Sequence, residues 1–306
     1  MSRRSRSHAD SPNAGFDSAT PAEGHREGIG SFLRHLLSGI PWSECAECRE
    51  ERTYDTPSSG SLRISNASGR TRVLGEDRSD IGVCIDKRAR AESGDAAEHL
   101  VEDIQLVSKE INGVLSLEVQ TPRRWKRHGN AHLEVRVPRE LEISVSANNG
   151  KICIEGIRSH VSARSSNGSV RVSDIVGDVD VTTSNAKVCC DGTCGRLTAR
   201  SSNGKIELGE HRGSIDATTS NGLIRASLEE VGVDGVVLAT SNGRIVLELP
   251  QDVDVDVDLR VDNGVIRTLR ELQKRNGEDA GRLRGRIGRG GTPIKLRTSN
   301  GTISLR

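Results

Sequence analysis

The chain has 306 residues, a third of them hydrophobic, which suffices for one large or two smaller folded domains and excludes a wholly disordered protein. Its 44 basic and 43 acidic residues leave a formal charge of +1, which excludes a global attraction to nucleic acid or an anionic membrane and confines any charge signal to local patterning. The only aromatic residues are Phe16, Phe32, Trp42, Tyr54 and Trp125, so whatever core lies beyond them is packed from Val, Ile, Leu and Ala.

Residues 1–28 are rich in Ser, Arg, Gly, Pro and Ala without periodicity and read as a disordered tail. Over 29–58 the sequence predicts a short amphipathic helix and a linker. Ile29, Phe32, Leu33, Leu36 and Leu37 recur at helical spacing until Gly39 and Pro41 end the pattern. Such a helix serves either as a membrane-surface or partner-docking element, which Arg34 and Trp42 suit, or as a cap over the open end of a repeat array. The linker carries Cys45-Ala46-Glu47-Cys48, the spacing of half a zinc site or of a redox pair. No second such pair follows and the strand-helix-strand setting of a thioredoxin-like motif is absent, so no metal and no cofactor are expected. Cys45 and Cys48 remain the only zinc candidates.

Three arginines in the first ten residues are not followed by an apolar stretch of signal-peptide length, and no run of 18 apolar residues occurs. With an odd count of seven cysteines, the expected location is the cytoplasm, peripheral association with the envelope being left open.

Residues 59–140 form an irregular β lead-in. Leu62 and Ile64, then Ile81, Val83 and Ile85, then Leu115, Leu117 and Val119, then Leu133, Val135 and Val137 each alternate with polar residues, as strands with one buried face do. Between them Ala97, Leu100, Val101 and Ile104 have helical spacing and predict one short helix.

Residues 141–306 repeat around a Ser-Asn-Gly turn. Its asparagine recurs as Asn149, Asn167, Asn185, Asn203 and Asn221 at intervals of 18, as Asn242 and Asn263 after 21 each, and as Asn300. Counting from each asparagine, positions two, four and six before it and three and five after it are apolar or small, so each repeat supplies two strands that share a buried face. Asn-Gly also suits an antiparallel hairpin, but a meander does not explain why whole units recur in register. A solenoid does, because each landmark then sits one strand spacing, about 4.8 Å, above its predecessor. The predicted fold is all-β: a β-solenoid, or β-helix, of roughly 18-residue repeats. The asparagines read as structural corners, where Asn tolerates left-handed backbone and its amide bonds to the Asn above.

The Leu-Glu-Val-Arg-Val-Pro run at 133–138, the repeated Ser-Asn-Gly-x-Ile/Val units and the closing Leu-Arg-Thr-Ser-Asn-Gly-Thr-Ile-Ser-Leu at 296–305 resemble the bacterial putative-adhesin β-strand-repeat family over about residues 60–306. The resemblance implies a β-helical domain without a catalytic motif, often within envelope-associated proteins. This chain departs from that setting in showing no export signal.

Asp252, Asp254, Asp256 and Asp258 alternate with valines. Alternation spreads carboxylates along one face, about 6.8 Å apart, rather than converging them on a calcium ion. They are expected to form a solvated strand face that resists edge pairing. Two and four residues after the asparagines lie Lys151, Arg171, Lys187, Lys205, Arg225, Arg244 and Arg267, with Glu207 the only acid at these positions. Stacked in a solenoid they make a basic stripe that can follow an anionic polymer or surface. A Gly/Arg-rich insertion at 270–291 is expected to extend the stripe as a protruding loop. No glycine-rich phosphate loop, zinc-protease motif or nucleophile elbow is present, and the missing aromatics remove the platforms that sugar-cleaving and base-stacking sites use. The chain therefore reads as a non-enzymatic structural or interaction scaffold, with a protein partner or a second copy as its ligand and no small-molecule substrate. Anion binding along the stripe, to membrane, nucleic acid or acidic polymer, is the alternative.

Overall fold

A computed structural model describes residues 44–122, 128–274 and 281–306. The tail at 1–28 and the helix expected at 29–37 lie outside these. The strands are β1 (Glu44–Asp55), β2 (Ser61–Asn66), β3 (Thr71–Glu76), β4 (Asp80–Ala91), β5 (Gln105–Ile111), β6 (Val114–Gln120), β7 (Gly129–Pro138), β8 (Glu142–Ala147), β9 (Ile152–Glu155) and β10 (Val161–Ser165). There follow β11 (Val170–Val176), β12 (Val179–Thr183), β13 (Val188–Ser201), β14 (Ile206–Asn221), β15 (Ile224–Asn242), β16 (Ile245–Glu248), β17 (Val255–Thr268), β18 (Gln273–Lys274), β19 (Arg282–Ile287) and β20 (Thr292–Leu305). One helix, α1 (Gly94–Glu102), stands between β4 and β5. Each strand inferred from alternation in the lead-in is present, and so is the helix, capped by Ser93 and burying Ala97, Leu100 and Val101.

The repeats form a solenoid. Val161 pairs in parallel with Ile143 on one side and Val179 on the other, and Val179 with Leu197, each a step of 18 residues. Every coil contributes one strand to a first sheet before the Ser-Asn-Gly corner and one to a second sheet after it, so alternate side chains from both meet in the interior. Ile143, Val161, Val179, Leu197, Ile215 and Val236 stack as one inward column, all nearly inaccessible. Aliphatic side chains are wide enough to fill this interior, which is why the repeats need no aromatic.

The glycine of each turn is required by stacking. A Cβ on Gly168 would stand 1.7 Å from the carbonyl oxygen of Gly150, and one on Gly222 would stand 2.3 Å from that of Gly204. Beneath the turn, inward hydroxyls hold the preceding coil: Thr219, Thr240 and Thr298 donate to the carbonyls of Gly204, Gly222 and Gly243. The pattern lapses at Thr183 and Ser201, whose buried hydroxyls have no partner. These belong to the coil of Ala186, the one turn with a Cβ in the glycine position, and to the coil after it.

The order of coils in space is not their order in sequence. At the N-terminal end β2 lies between β6 and β8, and β3 between β7 and β9, so the first coil is sandwiched between two later ones. At the other end β20 lies between β15–β16 and β17. The stack is closed by antiparallel strands: β4 on β7 and β1 on β4, β5 on β6, and β19 on β17 with β18 beyond it.

Four expectations are corrected. The segment read as linker contains β1, a twelve-residue strand paired with β4 along its length. Nor do Asp254, Asp256 and Asp258 form a free strand face, because β19 lies alongside and supplies Arg286 to Asp256 and Arg282 to Asp258, while Arg289 in the turn after it reaches Asp254. By the same pairing the described part of 270–291 is an end cap rather than a protruding loop. Finally, none of the landmark asparagines has a positive φ; the left-handed corner lies further on, at Gly156, Asp174, Gly192 and Glu210.

Candidate functional site

The asparagine amides form a ladder with one direction. Nδ2 of Asn167 donates to Oδ1 of Asn149 at 2.9 Å, and the same bond joins Asn185 to Asn167, Asn203 to Asn185, Asn221 to Asn203 and Asn242 to Asn221. Asn300 then donates to Asn242 and Asn263 to Asn300, so the ladder follows the spatial order of the coils. These side chains are already engaged with one another. The ladder begins at Asn149 because the coil below carries Ser68 at that level.

The basic residues singled out from the sequence lie on the outer face of the second sheet. In register, Cys153 neighbours Arg171, Arg171 neighbours Cys189, Cys189 neighbours Glu207, and Glu207 neighbours Arg225. Lys151, Lys187, Lys205 and Arg244 form the parallel column nearer the corner. The structure divides this group. Lys187 and Lys205 both pair with Glu207, and their ammonium groups, Lys187 first, hold its carboxyl below the usual range. Lys151, Arg171, Arg225, Arg244 and Arg267 make no ion pair among the described residues. Arg267 is set apart from Arg244 by the inserted β20 rung, which carries Thr302 and Ser304.

A second basic column escaped the sequence reading. Arg164, Arg200, Arg297 and Arg260 stand three residues before their asparagines, on the outer face of the first sheet. Counting back from the same landmark asparagines locates them in the sequence. Arg297 and Arg260 are neighbours and share Asp262 at 3.9 and 3.3 Å, and Arg200 reaches Asp216 at 3.7 Å.

Cys45 and Cys48 are not brought together. Both are exposed on β1, and a three-residue step in an extended strand puts their side chains on opposite faces. One tetrahedral ion cannot take both thiolates from that geometry. Cys153 and Cys189 are separated by the Arg171 rung, and Cys190 is fully buried, which pushes its thiol far up. Among the described residues no group of three or more His, Cys, Asp or Glu is placed to hold a metal.

Two buried polar clusters were not legible beforehand. His211 takes an inward position next to Thr193, with Nδ1 at 2.8 Å from the Thr193 hydroxyl and Nε2 at 3.3 Å from the Ser214 carbonyl. A neutral ring with its proton on Nε2 donates to Ser214 and accepts from Thr193, and burial lowers its pKa. At the N-terminal cap Lys87, only 4 % exposed, pairs with Glu50, which also accepts from Arg52; Arg52 in turn donates to the Leu106 carbonyl. Bonding to Lys87 lowers the Glu50 carboxyl. Each cluster is internally satisfied; His211 and Lys87 are closed to a substrate, while Glu50 and Arg52 remain partly exposed.

A family model described as Toastrack DUF4097 matches residues 61–306. No curated protein matches the sequence. Solved structures similar to the chain include a putative adhesin from Bacteroides fragilis, with 13% identity and a TM-score of 0.45 over 85% of this chain and 97% of that one. A putative adhesin from Parabacteroides merdae has 11% identity and a TM-score of 0.42 over 86% and 96%. A putative lipid binding protein from Parabacteroides distasonis has 8% identity and a TM-score of 0.29 over 84% and 97%.

Proposed function

The chain belongs to the Toastrack DUF4097 family, and from that premise we propose that it is a non-catalytic interaction scaffold, a stacked β-structure that holds an outer sheet face toward a partner. One observation supports this reading most directly. Inward side chains fill the core and corner side chains bond along the stack, whereas Lys151, Arg171, Arg225 and Arg244 have neither task and no counter-ion among the described residues. A broad hydrolase and lyase screen on purified protein is expected to give no turnover; robust turnover overturns the reading.

The same cations favour a second reading, that the partner is anionic. Lys151 and Arg171 stand on neighbouring rungs, as do Arg225 and Arg244, with the Lys187–Glu207–Lys205 group on the rungs between, so two cationic patches on one face are spaced along the stack as an extended acidic polymer requires. Binding to polyphosphate is expected to weaken with salt. Replacing Lys151, Arg171, Arg225 and Arg244 by Gln is expected to flatten that salt dependence, while replacing Lys187 and Lys205, which already serve Glu207, has less effect. Binding that the fourfold variant leaves unchanged overturns it.

A further inference from the structure

The sequence runs past a gap and returns to fill it. After β15 and β16 the chain lays β17 two rungs further on, folds β19 against the outer side of β17, and only then places β20 in the slot left between. In parallel sheets that slot is about 9.6 Å wide, two strand spacings.

The slot is demanding about what enters. Asn300 must donate to Asn242 and accept from Asn263, and Thr298 must reach the Gly243 carbonyl. Gly301 has no room for a Cβ, which would stand 1.9 Å from the Gly243 oxygen. Ile294, Leu296, Ile303 and Leu305 are each at most 1 % exposed. A strand with the Ser-Asn-Gly spacing and inward aliphatics of this chain's own repeats satisfies both walls.

The link to β20 is a hinge. Gly288, Gly290 and Gly291 have φ of 62°, 74° and 126°, and together they carry the chain across the end of β17, from its outer side to its inner side. The crossing is tied down at two points: Arg289 N–H donates to Asp254 at 2.7 Å, and Gly291 N–H to Asp256 at 3.2 Å. An arm with a glycine hinge and a slot shaped to the arm's own repeat pattern are the parts of a strand exchange.

We propose that β20 is an exchangeable arm and that the slot between β15–β16 and β17 accepts the β20 of a second copy of this chain, joining two solenoids through a reciprocal swap. The partner is a second copy because the ladder, the glycine contact and the inward column are met by this strand. The covalently attached arm competes at a high effective concentration, so exchange is settled during folding, when the slot is open.

The test is refolding of a mixture of isotopically light and heavy full-length protein over a range of concentrations, followed by sizing and zero-length cross-linking. Lys295 lies beside Asp258 in register across the β20–β17 pair, so this cross-link reports whose arm fills whose slot. The expected result is a dimer-to-monomer ratio rising in proportion to refolding concentration, with light-to-heavy Lys295–Asp258 cross-links in the dimer alone. Gly290→Pro, which cannot adopt the closed hinge, is expected to raise that ratio further. Protein that stays monomeric at every concentration, or a dimer whose Lys295–Asp258 cross-links all lie within one chain, overturns the proposal; if Gly290→Pro fails to fold, the unmodified protein alone decides.

Discussion

Asn149→Asp and Asn203→Asp are the same chemical change on two rungs of one ladder, and the ladder's direction makes their effects opposite. Asn203 donates to Asn185 at 3.0 Å and accepts from Asn221 at 2.9 Å. A carboxylate there keeps the second bond, loses the first, and sets its own oxygen against the Asn185 oxygen. The lost bond is worth about 1 kcal/mol and the oxygen contact adds a similar amount, tempered by exposure, for a cost of about 1–2 kcal/mol. Asn149 only accepts, from Asn167 at 2.9 Å, so a carboxylate improves that bond by about 0.5 kcal/mol at most. Each position is followed two residues later by a lysine, but Lys205 already serves Glu207 whereas Lys151 has no ion pair among the described residues, so the comparison is made with Lys151 and Lys205 both replaced by Gln. Asn263, which only donates, at 3.1 Å to Asn300, should behave like Asn203. Urea unfolding at neutral pH, compared at constant m, measures the difference. Equal midpoints for the three variants, or Asn149→Asp as the most damaging, would refute a ladder that runs in one direction.

Glu210 holds a left-handed φ of 48° at the corner where Gly156 and Gly192 occupy other coils, so Glu210→Gly should stabilise by about 1 kcal/mol, read as a higher urea midpoint. Removing Glu50 leaves the buried Lys87 ammonium unpaired; Glu50→Ala should cost about 1–3 kcal/mol, and Lys87→Met in that background should restore much of it, as a double-mutant cycle would show. His211 is held neutral, so the unfolded chain takes up its proton first. Stability should begin to fall as pH drops below about 6.5 and continue down to the lowered folded value, a limb that His211→Gln should remove from an unfolding-versus-pH series. Asp258 and Asp254 are lowered by Arg282 and by the Arg289 backbone N–H, respectively. The support they give the β19 cap is present above about pH 3.9 and lost as pH falls through their lower folded values, which hydrogen exchange in β19 should register.

The sequence by itself determined the character of each coil. The near-constant interval, the inward columns and the glycine at the turn are properties of one coil resting on the next, and most coils carry them, so Val161, Thr219 and Gly222 declare their roles locally. What the tertiary structure alone decided is which coil rests on which. Near-identical strand edges offer near-identical pairings, and nothing in the repeat distinguishes the slot beside Asn242 from the one beyond Asn263; only the return of the chain through β19 puts Asn300 between them. The same cause hid the use of Asp254, Asp256 and Asp258. Their alternation was visible, but the arginines that neutralise them arrive on a strand whose pairing is long-range. At the other end Cys45 and Cys48 looked close in sequence until β1 paired with β4 and the extended backbone turned them apart. Spacing and alternation are written residue by residue, whereas the choice among equivalent edges is made by the closed stack as a whole.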